Sequence, residues 1–278
     1  MLLTPRYDGV PIVAVEAREA GPHPVIAQRR RLGTTLSSLS DEQWATPSRC
    51  EGWTVQDVIS HLTSTNGFWA FSIQSGVAGE PTRFLTTFDP VASPAELAER
   101  DRGRSPAETL DGYLTSVEGM ATVIDALDDA GWAAIAEAPP GHLSVALTAD
   151  HALWDAWVHE RDVVLPLGIE PTVVPAEVLA SLRYGAGLGP AFGLSIGTPP
   201  FGAVELITTD PDARIVVEVR DDQVVVHDGP APDGAASVTM DAVTLLELLS
   251  RRDVGVAEPA ELARLTAGLA EVFDQTGG

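Results

Sequence analysis

Apolar positions recur at a helical period through the first two thirds of the chain and at an alternating period after it. Val25, Ile26, Leu32, Leu36 and Leu39 fall near a 3.6-residue spacing and predict a first helix over Pro24–Leu39. Cys50-Glu-Gly-Trp-Thr reads as a turn, followed by Val55, Val58, Ile59, Leu62, Phe68 and Trp69 on a second helix. Thr54 with Asp57 three residues on has the form of a capping box and fixes where that helix begins. A Pro- and Gly-containing connection, Gly76 to Ser105, leads to a third helix over Pro106–Leu127, and a fourth runs from Val145 to Leu165. A further helix is expected at Pro175–Leu188.

The uncharged run Tyr184–Val204 holds six Gly and three Pro, which would leave backbone groups unsatisfied in lipid, so it is read as a loop rather than a membrane span. After it come β-branched runs at 203–209, 214–220 and 223–227, a fourth strand at Ser237–Met240, and helices at 242–250 and 259–273. The expected architecture is an all-α domain over residues 1–192 and a small α+β domain over 193–278. Gly193-Leu-Ser195-Ile-Gly197 matches the nucleophile-elbow pattern, but Thr198-Pro-Pro comes directly after and no strand precedes it, so Ser195 is assigned to the loop.

Composition then removes several chemistries. Among 278 residues there are 17 basic and 40 acidic side chains, a net charge of −23, so a phosphate backbone is repelled and nucleic acid is not an expected partner. All 17 basic residues are Arg. Without Lys there is no Schiff base, P-loop or Ser-Lys dyad. The single Cys50 forms no internal disulfide, and no secretory signal is visible, which together point to the cytoplasm. Oligomeric state is not readable.

The candidate chemistry lies in His151-Ala-Leu-Trp-Asp-Ala-Trp-Val-His-Glu-Arg-Asp. His151, Asp155 and His159 recur every four residues and form one helical stripe. If the second and fourth helices are neighbours, His61 can face Asp155 and His159, two imidazoles and a carboxylate being a set that binds a divalent metal. Spacing alone leaves open a core histidine and a solvated i,i+4 pair. Trp53, Trp154 and Trp157 fit either a pocket lining or a core.

The blocks Gly52-Trp-Thr-Val-Gln-Asp-Val-Ile-Ser-His61-Leu and Asp155-Ala-Trp-Val-His159-Glu-Arg-Asp162 resemble the mycothiol-dependent maleylpyruvate isomerase family, within the DinB-like metal-binding four-helix bundles. Val204–Phe273 has the element order of a sterol-carrier-protein-2-like domain, which many members carry. The resemblance implies a divalent metal, zinc in the best-known members, on His61, Asp155 and His159. Members commonly have Glu where this chain has Asp155. His151 is additional, with a pocket role or a packing role both open. The resemblance also implies an Arg from the C-terminal domain near the pocket, matched by Arg252; the alternative is that Arg251 and Arg252 only complement a helix end.

The resemblance thus implies an enzyme that activates mycothiol on the metal for attack on a small electrophile, as an isomerase or an S-transferase. Cys50 shows no His-Asn or His-Asp partners in the sequence, so the sulfur is expected from outside the chain. A non-catalytic small-ligand binding protein and a metal-assisted hydrolase are the rivals.

Overall fold

The computed structural model describes residues 4–16, 22–87, 89, 92–198 and 202–273. Four long helices, α1 (Val25–Leu36), α3 (Val55–Val77), α5 (Pro106–Asp125) and α7 (Val145–Val164), pack side by side, with α3 and α1 each touching both α5 and α7. Short α2 (Asp41–Trp44) links α1 to α3. Side-chain caps set the starts: Thr54 and Asp57 form the expected capping box on α3, and Ser105 with Glu108 forms another on α5. α7 starts at Ser144, whose hydroxyl accepts from the Leu147 amide, and seventeen of its twenty residues are buried. A helix so enclosed needs partners for its polar residues, which is where the site is found.

The Gly76–Ser105 connection is not featureless. It carries a 3-10 turn (Phe84–Thr87) and α4 (Ala92–Asp101). Between α5 and α7 the chain adds α6 (Asp129–Ala133) and a hairpin of β2 (Ile135–Ala138) and β3 (Gly141–Ser144), whose Ala and Gly content hides the strand signal.

The C-terminal part is a five-stranded sheet in the order β1 (Val13–Val15), β6 (Gln223–Asp228), β5 (Ala213–Arg220), β4 (Ala203–Thr209), β7 (Ala236–Asp241). The β4, β5 and β6 strands run antiparallel, while β1 and β7 add parallel edges. Against the sheet lie α8 (Pro175–Ser195) and α9 (Ala242–Leu249), with α10 (Ala263–Phe273) packed on α8. β1 comes from the N-terminal segment, and α8 touches both α7 and the sheet.

The loop expected over Tyr184–Val204 is a helix as far as Ser195, with Pro190 inside it. Its glycines are contact residues. A Cβ on Gly189 would overlap the Leu265 carbonyl of α10, and one on Gly268 would overlap the Gly189 carbonyl, so the two helices approach backbone to backbone. Ser195 is the last residue of α8 and its hydroxyl donates to the Ala191 carbonyl, so it is helical rather than a loop residue and is no nucleophile elbow. Pro199 and Pro200 lie outside the described residues. Among the described residues no helix is long and apolar enough to cross a membrane.

Candidate metal centre

The Cys50–Trp53 turn delivers the chain into α3, and two turns after the Thr54 cap His61 faces α7. Asp155 and His159 stand one turn apart on the opposing face of α7. His61 Nε2 lies 3.7 Å from Asp155 Oδ1, His159 Nε2 lies 3.6 Å from the same oxygen, and the three donor atoms are all within 4.8 Å of one another. Spacing left this set open and the family resemblance implied it; the fold brings the three side chains within reach of one another.

These separations exceed hydrogen-bond length. Tetrahedral zinc bonds of about 2.0–2.1 Å put donor atoms roughly 3.3 Å apart, so each imidazole nitrogen stands within a few tenths of an ångström of that spacing from Asp155 Oδ1. Two buried atoms there, His61 Nδ1 and Asp155 Oδ2, have no hydrogen-bond partner. Burial opposes ionisation of Asp155, but the neighbouring imidazoles outweigh it and hold the carboxyl well below the usual carboxylate range. The residues fit a divalent ion in number, type and spacing.

Behind His159 sits Asp162, fully buried on the next turn of α7. His159 Nδ1 is 3.0 Å from Asp162 Oδ2, which assigns a proton to Nδ1 and turns Nε2 toward Asp155 and His61. Burial pulls the His159 pKa down, but the bond to Asp162 dominates and it is pushed up to about 10. A cation arriving at Nε2 therefore has to displace a proton.

Asp162 also accepts from Arg252, through Nε at 2.9 Å and Nη2 at 2.7 Å. The expected Arg252 is thus at the site, reaching from the segment after α9 to the carboxylate that holds His159. Its neighbour Arg251 adopts a left-handed backbone (φ 58°), which turns the chain back toward α7. Arg49 joins Asp162 to the buried Glu247 of α9, with its Nη2 2.6 Å from Glu247 Oε2. This ionic bridge between the helical layer and α9 was not anticipated, although the i,i+3 spacing of His159 and Asp162 offered a signal.

Cys50 corrects a second expectation. Its thiol is 3.2 Å from Asp162 Oδ2, 3.6 Å from His159 Nδ1 and 4.0 Å from Arg252 Nη2. It does have a histidine and an aspartate beside it, contributed by residues more than 100 positions away. The set is still not a nucleophile triad. In a triad the imidazole meets nucleophile and carboxylate with different nitrogens, whereas both meet Nδ1 here. Cys50, His159 Nδ1 and Asp162 could also converge on a cation, but the Arg252 guanidinium already supplies the positive charge at that carboxylate.

Trp53 packs edge-on against His61 with ring centres 5.5 Å apart, and His61 and His159 stand at 5.0 Å. Trp154 is half-buried and its indole N–H donates to Ser250 Oγ at 2.9 Å. Trp157 is fully buried under the Arg161 guanidinium and belongs to the core.

Residues 25–164 match the family described as the mycothiol maleylpyruvate isomerase N-terminal domain. The chain belongs to this family. The matched stretch runs from the first residue of α1 to the last of α7, half of the chain, and contains His61, Asp155, His159 and Asp162. Arg252 and the sheet lie beyond it. Among solved structures, this family member resembles a mycothiol-dependent maleylpyruvate isomerase (15% identity, TM-score 0.58, covering 84% of this chain and 93% of that one). It is similarly close to a histidine-to-alanine mutant of a mycothiol-dependent maleylpyruvate isomerase (16% identity, TM-score 0.59, 84% and 94%). At that identity the likeness is one of fold, a mixed helix and sheet architecture. The sequence has no significant match among curated proteins.

Proposed function

We propose that this chain is a metal-dependent enzyme that activates a low-molecular-weight thiol, mycothiol, for attack on a small electrophile, as an isomerase or an S-transferase. The observation that carries this reading is the convergence of His61 Nε2, Asp155 Oδ1 and His159 Nε2 inside the family-matched segment, with His159 locked in the required tautomer by Asp162. On this reading the helices are a DinB-like bundle over residues 1–192 and residues 193–278 form a sterol-carrier-protein-2-like domain. The free thiol of Cys50 suits a cytoplasmic enzyme.

A divalent cation, zinc foremost, supplies at these residues the positive charge that keeps a thiol ionised near neutral pH. Asp162 holds the Nδ1 proton of His159 so that Nε2 stays a donor atom. Asp155 brings one negative charge, leaving a divalent site net positive. Arg252, tied to Asp162 on one edge, donating through Nη1 to the Ser250 carbonyl and about a quarter exposed, has one further N–H on Nη1 to offer an anionic substrate. Cys50 packs against the carboxylate that holds His159, its Sγ 3.2 Å from Asp162 Oδ2.

The test is incubation of metal-replete protein with candidate electrophiles, with and without mycothiol. Conversion that needs the thiol supports the proposal. Conversion in water alone identifies a hydrolase, and ligand retention with no conversion identifies a binding protein.

A further inference from the structure

Arg29 of α1 is fully buried, yet among the described residues it forms no ion pair. Its nitrogens donate to neutral oxygens instead: Nε to Asn66 Oδ1 at 2.6 Å, Nη1 to the Val25 carbonyl at 3.2 Å and Nη2 to the Ala152 carbonyl at 2.9 Å. The carboxylates of α7 and α8 that reach α1, Glu160 and Glu177, are both taken by Arg31. A guanidinium does not give up its proton in a protein, so a whole positive charge sits in this core. Burying a charge without a counter-ion is costly. Asn66 is the side chain that leaves it so, because an Asp of the same shape would complete an ordinary ion pair. Asn66 is itself fully buried, and its Nδ2 donates to Ser116 Oγ at 3.0 Å, which turns Oδ1 toward Arg29.

The groups that hold this charge lie beside the metal centre. Asn66 comes five residues after His61 on α3 and Ala152 three before Asp155 on α7, about 7.5 Å and about 4.5 Å along the helix axes. Burial lowers the Arg29 pKa, and Tyr113 and Asp155 oppose it, Asp155 being the carboxylate in range. Around the donor set, Asp155 and Asp162 match the two charges of a divalent ion, and Arg252 adds one positive charge back. His151, one turn before Asp155 and enclosed by the rings of Trp69, Trp154 and Tyr184, is uncharged at neutral pH because burial pushes its pKa down to about 4. Arg29 is a second positive charge, held on the core side of Asp155.

We propose that Arg29, left uncompensated by Asn66, is a positioning residue that acts on the centre through Asp155: its fixed charge offsets the aspartate, so the centre holds its cation less tightly and an anionic sulfur more tightly. This rests on the thiol-activating reading of the site. A purely structural role, tying α1 to α3 and α7, predicts the opposite sign for the metal, because a loosened ligand set binds it more weakly.

The experiment compares wild type with Asn66→Asp, which keeps the shape and the bond to Arg29 while cancelling the charge in place, and with Arg29→Gln, which removes the charge. Zinc affinity is read by chelator competition, and the ionisation of mycothiol on zinc-loaded protein by its ultraviolet thiolate absorbance as a function of pH. In both variants zinc affinity is expected to rise about tenfold and the midpoint of thiol ionisation to move up by about one pH unit. Should Asn66→Asp fail to fold, the midpoint in Arg29→Gln decides the question. A midpoint equal to wild type in the folded variants, or a zinc affinity that falls in Asn66→Asp, overturns the proposal. A wild type that binds neither zinc nor mycothiol overturns the thiol-activating reading, and the role of Arg29 falls with it.

Discussion

His159 and Asp162, one turn apart on α7, share a hydrogen bond of 3.0 Å that decides which imidazole nitrogen faces His61. The same carboxylate takes two N–H groups of Arg252, so one buried aspartate ties the donor set to the segment after α9.

Replacing Asp162 with Asn keeps the shape but removes the charge that fixes the His159 proton. Loss of such an outer partner typically weakens metal binding by about 10–100-fold. Chelator competition on Asp162→Asn measures it. Affinity equal to wild type would show that His159 needs no such support.

The buried His151 carries a pH dependence of stability. Its folded pKa of about 4 lies below the ordinary histidine value near 6.5, so between those limits the unfolded chain binds more protons and stability rises with pH. The stabilisation is therefore full above about pH 6.5 and falls as acid is added toward about pH 4, by at most about 3 kcal/mol. Denaturant midpoints of wild type and His151→Phe, compared across that window, isolate the effect. Parallel curves would mean the imidazole is not buried neutral.

The α8–α10 approach makes Gly189 intolerant of a side chain. Gly189→Ala is expected to cost about 2–3 kcal/mol through overpacking against the Leu265 carbonyl. Gly119→Ala, at an exposed position of α5 with nothing within 4 Å, is expected to stabilise by about 0.5–1 kcal/mol. Equal effects at the two positions would contradict the close helix contact.

The parts of this molecule that were legible in its sequence are those set by local rules. Thr54 and Asp57 announce the start of α3, and i,i+4 spacing puts Asp155 and His159 on one face. His61 could be placed because its helix has a clear apolar stripe and a fixed start. What escaped depends on distant partners. Cys50 looked isolated because His159 and Asp162 reach it across more than 100 residues. The glycines of α8 looked like loop residues because glycine serves both turns and close helix contacts, and only the position of α10 separates the two uses. β1 is three residues long and pairs with a strand some 210 residues later, so no local pattern marks it.

Metal content is the most direct measurement. Wild-type protein purified without added metal is expected to carry about one equivalent of a divalent transition metal, and His61→Ala, Asp155→Ala and His159→Ala each to lose most of it. Less than about a tenth of an equivalent in wild type, or a content unchanged in all three variants, would contradict a metal held between α3 and α7.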